Sequence, residues 1–260
     1  MIDECIGHCA VQAADIGFNL AALRAGFWQL TIDGLSWGAI YALVAVGYTL
    51  VFGVLRLINF AHSEIFMLGM FGAYFALDMI LGFTSSGNAY HVGVVLTVVY
   101  LAVAMLFAMA VSGSAALGLE AIAYRPLRRR HAKPLTFLIT AIGMSFVLQE
   151  LVHFILPQLL PGYGGSNAQP PIILVVPRTQ FTVFGAMVSN VTLVIVAAAC
   201  VLAVLTDMAI NRTKFGRGIR AVAQDPTTAT LMGVSRERII MATFVIGGVL
   251  AGAAALLYTL

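Results

Sequence analysis

The chain has 260 residues, 61% of them hydrophobic and only 10% charged, with a formal net charge of +3. About a quarter of the residues of a water-soluble domain are charged, so this composition belongs to a protein dissolved in lipid. At roughly 20 apolar residues per crossing, the chain has room for about six spans and their connections, which excludes a fused catalytic domain.

The first 30 residues read as a tail. They carry Asp3, Glu4 and Asp15 and lack a basic region followed by an apolar one, so they do not form a cleaved signal peptide. Cys5, His8 and Cys9 fall short of a full metal-ligand set, and Cys200 stands alone in an apolar run. No metal, cofactor or disulfide framework is expected. Residues 18–30, with Phe18, Leu23, Phe27 and Trp28, read equally well as an amphipathic helix on the outer surface or as a lead-in turn.

From residue 31 to 260 the chain reads as one membrane domain, with apolar runs at about 34–55, 65–82, 92–119, 135–157, 190–210 and 239–259. These runs are apolar on all faces and too long for barrel strands, which predicts an all-α polytopic bundle of about six spans. Gly34 and Gly38, like Gly248 and Gly252, stand four apart, as close-packing faces do.

The basic residues set the orientation. Arg125, Arg128, Arg129, Arg130 and Lys133 lie between the third and fourth runs, and Arg212, Lys214, Arg217, Arg220, Arg236 and Arg238 between the fifth and sixth. Both connections are therefore expected in the cytoplasm. The proline- and glycine-rich segment 158–189, with Arg178 its one basic residue, reads as an outer irregular loop. One reversal per crossing then puts 83–91 outside, 56–64 inside with Arg56, and the N-terminus outside. Membrane topology accounts for the positive charge, and nucleic-acid binding is not expected.

Neither a Gly-x-x-x-x-Gly-Lys-Ser/Thr loop nor a recognisable Ser/His/Asp, His-Glu-x-x-His or paired-carboxylate set is present, so the chain is not expected to hydrolyse ATP or act as an enzyme. Three segments remain informative. Arg56–Glu64 is a short polar interruption between two apolar runs. Asn59, His62 and Glu64 in it are candidates to line a transport path, or the segment is a plain hairpin with Asn59 or Ser63 capping the next helix. Glu150 and His153 share a helical face and offer a proton relay, or a polar contact between helices or at the interface. Within the cytoplasmic loop at about 211–238, the sequence spells two short helices. Ile219, Val222 and Ala223 stripe the first; Asp225 caps the second, Pro226 opens it and Gly233 stops it. Such a rigid knob suits docking into a groove of a soluble partner, and a solvated loop is the alternative.

Two stretches together resemble the permease subunits of branched-chain amino acid ABC transporters, and specifically the smaller permease of the high-affinity importers. One runs from Gly34-Leu35-Ser36-Trp37-Gly38 through Gly47-Tyr48-Thr49 to Ile58-Asn59-Phe60-Ala61-His62-Ser63-Glu64; the other is Arg220 to Val234. Tyr124-Arg125-Pro126-Leu127-Arg128 also looks like the family. The resemblance implies a multi-pass protein of the bacterial inner membrane that pairs with a second permease chain as a hetero- or homodimer. It also implies two cytoplasmic ATP-binding subunits and an extracytoplasmic substrate-binding protein. The 216–234 loop would then be the ATPase-coupling element, containing Gly216, Arg220, Ala221, Ala223, Gln224, Asp225, Pro226, Thr228 and Gly233, with Ala221, Ala223, Asp225 and Gly233 setting its shape. Ser63 stands where the family pattern has Gly. The chain stops at Leu260 inside an apolar run, where the resemblance implies about two further helices. The alternative reading is a proton-coupled secondary transporter of small amino acids or amides, with Glu150 and His153 or Glu64 and His62 as titrating pairs.

Overall fold

The computed structural model describes residues 20–77, 94–159, 179–183 and 186–260. The long helices are α1 (Leu20–Leu55), α2 (His62–Phe75), α3 (Val94–Leu119), α5 (Pro134–Leu159), α6 (Asn190–Arg212) and α9 (Arg236–Tyr258). A π-helical turn (Glu120–Tyr124) joins α3 to the short α4 (Arg125–Arg129), and α7 (Lys214–Gln224) and α8 (Pro226–Leu231) lie between α6 and α9. The described part of each apolar run falls almost entirely on these helices, and among the described residues five helical segments are long and apolar enough to span a bilayer. The second run begins in α2, a helix of 14 residues. The protein is a multi-pass helical membrane bundle.

The bundle is built around α9. Ala251, Ala253, Ala254, Ala255 and Leu256 have no exposed surface, because α1, α2 and α3 close over this helix. Small residues permit the approach. A Cβ on Gly248 would lie 2.6 Å from the Ala116 Cβ and 2.7 Å from the Ser112 carbonyl oxygen. One on Gly252 would lie 2.5 Å from the Ala108 carbonyl oxygen, and Gly47 meets Gly247 backbone to backbone. Lipid tails give helices no hydrophobic reason to associate, so this dense backbone packing and occasional buried polar bonds hold the bundle together. One such bond runs from the Ser112 hydroxyl to the Ile65 carbonyl at 2.9 Å. The second glycine pair behaves differently: among the described residues nothing lies within 4 Å of a Cβ placed on Gly34 or Gly38. The identical spacing marks a packing face within this chain only at Gly248 and Gly252.

Two further expectations are corrected. Residues 20–30 are no separate surface helix or turn but the opening of α1, 36 residues long. At 1.5 Å per residue α1 extends about 54 Å, well past the ~30 Å hydrocarbon core. The 158–189 segment, expected to be irregular, also has order near its end. Strands β1 (Thr179–Val183) and β2 (Ala186–Ser189) pair antiparallel, with Val183 opposite Ala186. Gln29 on α1 fixes the hairpin, its Oε1 accepting from the Met187 amide at 2.8 Å. Ser189 then caps α6 by accepting from the Val191 amide at 3.1 Å. The 83–91 connection, most of the 158–189 segment, and Cys5, His8 and Cys9 lie outside the described residues.

Candidate functional site

Helix α1 ends at Arg56, whose backbone sits in the left-handed region at φ 53° while its amide still donates to the Phe52 carbonyl at 2.7 Å. An L-residue in this conformation costs about 1–2 kcal/mol, which is why glycine is the usual occupant. The chain then turns inward. Asn59 is buried, with its Oδ1 accepting from the Tyr124 hydroxyl at 2.9 Å and from the Ala61 amide at 3.2 Å. This Asx-type turn replaces the expected simple cap: the N-cap position of α2 is Ala61, and no side chain caps it. Ser63 is exposed and donates to the Phe60 carbonyl at 3.1 Å, so its side chain meets no close-packing demand.

His62, three positions after Asn59, is also buried, edge-on to the Tyr48 ring with centroids 5.7 Å apart. Two atoms here, Asn59 Nδ2 and His62 Nε2, are buried without a hydrogen-bond partner among the described residues. Buried polar groups are normally satisfied, so such atoms mark a place where water or a polar ligand is accommodated. Glu64 stands on the rim, accepting from the Ser145 hydroxyl of α5 at 2.9 Å. The three candidate path residues thus divide into a buried pair and a rim carboxylate.

The 211–238 loop folds back onto the same region. Thr213 caps α7 by accepting from the Gly216 amide at 3.0 Å. A side chain on Gly216 would overlap the Ile210 carbonyl, and one on Gly218 would lie 2.7 Å from Ile239 Cδ1. The Arg220 guanidinium closes the end of α6, donating to the Ile210 carbonyl and to Asn211 Oδ1. Ile219 and Val222 are buried and Ala221 and Ala223 half-buried, so the expected stripe seats α7 on the bundle, in one apolar cluster with Ile239 and Ile240.

Asp225 then caps α8, with Oδ1 accepting from the Thr227 amide at 2.8 Å and Oδ2 from the Thr228 hydroxyl. The Thr228 hydroxyl, the amides of Thr227 and Thr228, and the charge of Arg56 together hold its carboxyl below the ordinary carboxylate range. Pro226 occupies the first helical turn, where its missing N–H costs nothing. Gly233, at φ +83°, ends α8: its amide donates to the Thr230 carbonyl at 3.1 Å, and the Val234 amide to the Ala229 carbonyl at 3.0 Å. This double-bonded stop, with Val234 packed in one cluster with Ala229, is the Schellman arrangement. It leaves Leu231 and Met232 at the tip, 83% and 81% exposed. Arg56 bridges the two segments, its Nη2 donating to the carbonyls of Ala223 at 2.9 Å and Gln224 at 3.1 Å.

The family described as branched-chain amino acid transport system, permease component, matches residues 30–260. The chain belongs to this family. It is 34% identical over 245 residues to the high-affinity branched-chain amino acid transport system permease protein BraD of Pseudomonas aeruginosa, covering 89% of this chain and 70% of that protein. It is 32% identical over 244 residues to LivH of Salmonella typhimurium, again covering 89% and 70%. A probable branched-chain amino acid transport permease, LivH of Methanocaldococcus jannaschii, is 24% identical over 228 residues, covering 87% of this chain and 64% of that protein. No solved structure matches the chain.

One polar centre of the permease escaped sequence reasoning. Glu120 is fully buried in the π-helical turn, its two carboxylate oxygens paired with Arg125 at 3.0 Å and Arg128 at 2.7 Å. Arg125 also reaches Met241 Sδ on α9. A separation of five residues does not place two side chains on one face of a regular α-helix, and the wider π turn, in which the Arg125 amide donates to the Glu120 carbonyl, brings them together. The same turn delivers Tyr124 to Asn59. Glu150 and His153, by contrast, are both exposed on α5, and no ion pair joins them.

Proposed function

We propose that this permease is one membrane subunit of an ABC importer for branched-chain amino acids. It would form part of the translocation path with a second permease chain and take mechanical work from two cytoplasmic ATP-binding subunits. An extracytoplasmic binding protein delivers the substrate, and the permease itself performs no chemistry and carries no cofactor. The basic connections face the cytoplasm and the N-terminus faces outward, following the distribution of arginine and lysine.

The observation that carries this reading is the knob formed by α7 and α8. It is rigidly capped at Asp225 and stopped at Gly233, and it presents Leu231 and Met232 to solvent on the side rich in basic residues. An apolar tip on a stiff base fits a groove in a soluble partner. Gly216, Arg220, Ala221, Ala223, Gln224, Asp225, Pro226, Thr228 and Gly233 build that base. ATPase closure pushes the tip, the helices rock, and the path opens alternately to each side, with Asn59, His62 and Glu64 lining part of it. The buried unpartnered atoms of Asn59 and His62 support the path assignment. The proton-driven alternative finds less support, since its Glu150–His153 pair is exposed and unjoined.

The test is uptake of labelled leucine by proteoliposomes holding the permease with its partner subunits. Uptake that requires ATP and both ATPases, and that Leu231→Asp abolishes together with ATPase binding, is expected. Uptake that continues without ATP and collapses with the proton gradient overturns the reading.

A further inference from the structure

We propose that Arg56 is the positioning residue that ties the cytoplasmic knob to the buried 59–62 turn, so that movement of one displaces the other. The inference rests on the importer reading above and names the linkage within it.

Three observations converge on this residue. First, its guanidinium holds the carbonyls of Ala223 and Gln224, at the end of α7 where the chain bends into α8. The last carbonyls of a helix have no helical partner and form its negative end, so a cation donating to both is a strong clamp. Second, Arg56 keeps a backbone conformation that favours glycine, at φ 53°. Glycine would serve the helix stop without strain, and only the arginine side chain reaches α7. Third, only Leu57 and Ile58 separate Arg56 from Asn59, whose side chain is fixed to Tyr124, and His62 follows in the interior. A pull on the clamp therefore reaches the buried turn through a few residues of chain that has no slack for a flexible linker. The apolar stripe of Ile219 and Val222 seats α7 in one cluster with Ile239 and Ile240 of α9 and with Val54, Ala61 and Tyr124, and to this non-directional packing Arg56 adds the directed bonds that hold the end of α7.

The experiment compares the wild-type assembled transporter with Arg56→Gly and Arg56→Lys in proteoliposomes, measuring ATP hydrolysed per leucine moved and the affinity for the ATPase subunits. Arg56→Gly relieves the backbone while deleting the clamp, so it tests the side chain without endangering the fold. The expected result is a rise of about fivefold or more in ATP per leucine, with ATPase affinity unchanged and Arg56→Lys intermediate because one donor group remains. Amide exchange at Asp225, whose N–H closes the last turn of α7 on the Ala221 carbonyl, should rise in parallel. An unchanged ratio in Arg56→Gly overturns the proposal, and so does loss of ATPase binding, which would make Arg56 a structural prop. Wild-type proteoliposomes showing no ATP-driven uptake would overturn the importer reading itself, and this inference with it.

Discussion

Replacing Gly233 separates the shape of the knob from the packing of the bundle. A Cβ at this position meets nothing within 4 Å among the described residues, so a substitution creates no collision with them. The whole penalty comes from the backbone, which stands at φ +83°. An L-residue there costs about 1–2 kcal/mol, which lowers the population of the intact stop by about 5–30-fold relative to competing loop conformations. Asparagine tolerates the left-handed region best, alanine less, and a β-branched valine least. The series Gly233→Asn, Gly233→Ala and Gly233→Val should therefore raise ATP hydrolysed per leucine moved in that order, with yield and unfolding temperature of the purified chain nearly constant. A valine variant that transports as efficiently as the wild type would refute the lever. An asparagine variant worse than valine would refute the backbone origin of the effect.

The remaining predictions concern the bundle and the loop. Glu120→Gln leaves Arg125 and Arg128 facing each other without their buried counter-charge and should lower the unfolding free energy in bicelles by about 3–5 kcal/mol; a variant as stable as the wild type would contradict the burial of the cluster. The Asp225 carboxyl is held below its usual range, so its contribution to the cap is present at neutral pH and disappears as pH falls through that lowered value. Amide exchange at Thr227 should accordingly accelerate only in acid, and Asp225→Asn, still a good cap, should flatten the profile. Gly252→Val drives a side chain onto the Ala108 carbonyl and should reduce the yield of folded protein sharply, whereas Gly38→Val, on an open face, should leave the unfolding of the isolated chain unchanged in a thermal scan.

The long helices were legible because each had to be apolar for about 20 consecutive residues, a signal that survives any uncertainty in packing. The knob was legible for a different reason: Asp225, Pro226 and Gly233 act through local backbone geometry, which needs no knowledge of the fold. Features that depend on partners distant in sequence were not. Arg56 counted only as a charge in a short connection until α7 was seen to end on its side chain. Glu120 lay at the edge of an apolar run, and Arg125 falls at a spacing that the π turn makes productive. Gly34 and Gly38 carry the same signature as Gly248 and Gly252, since spacing records the capacity for close approach but not whether anything approaches. The β1–β2 pair hid in a segment rich in turn residues, its two strands of five and four residues too short to stand out.

The glycine contacts of α9 have a mechanical corollary. At Gly248 and Gly252 against α3, and at Gly247 against Gly47 of α1, backbone approaches backbone closely, with only the short side chains of Ala116 and Ser112 and a methyl of Val51 beside the contacts. Interfaces of this kind behave as a solid joint, because the smallest relative shift brings carbonyl oxygens into collision. Helices α1, α3 and α9, with α2 joining at Gly69 against Gly252, are locked into one block in which a side chain added at a contact must push whole helices apart.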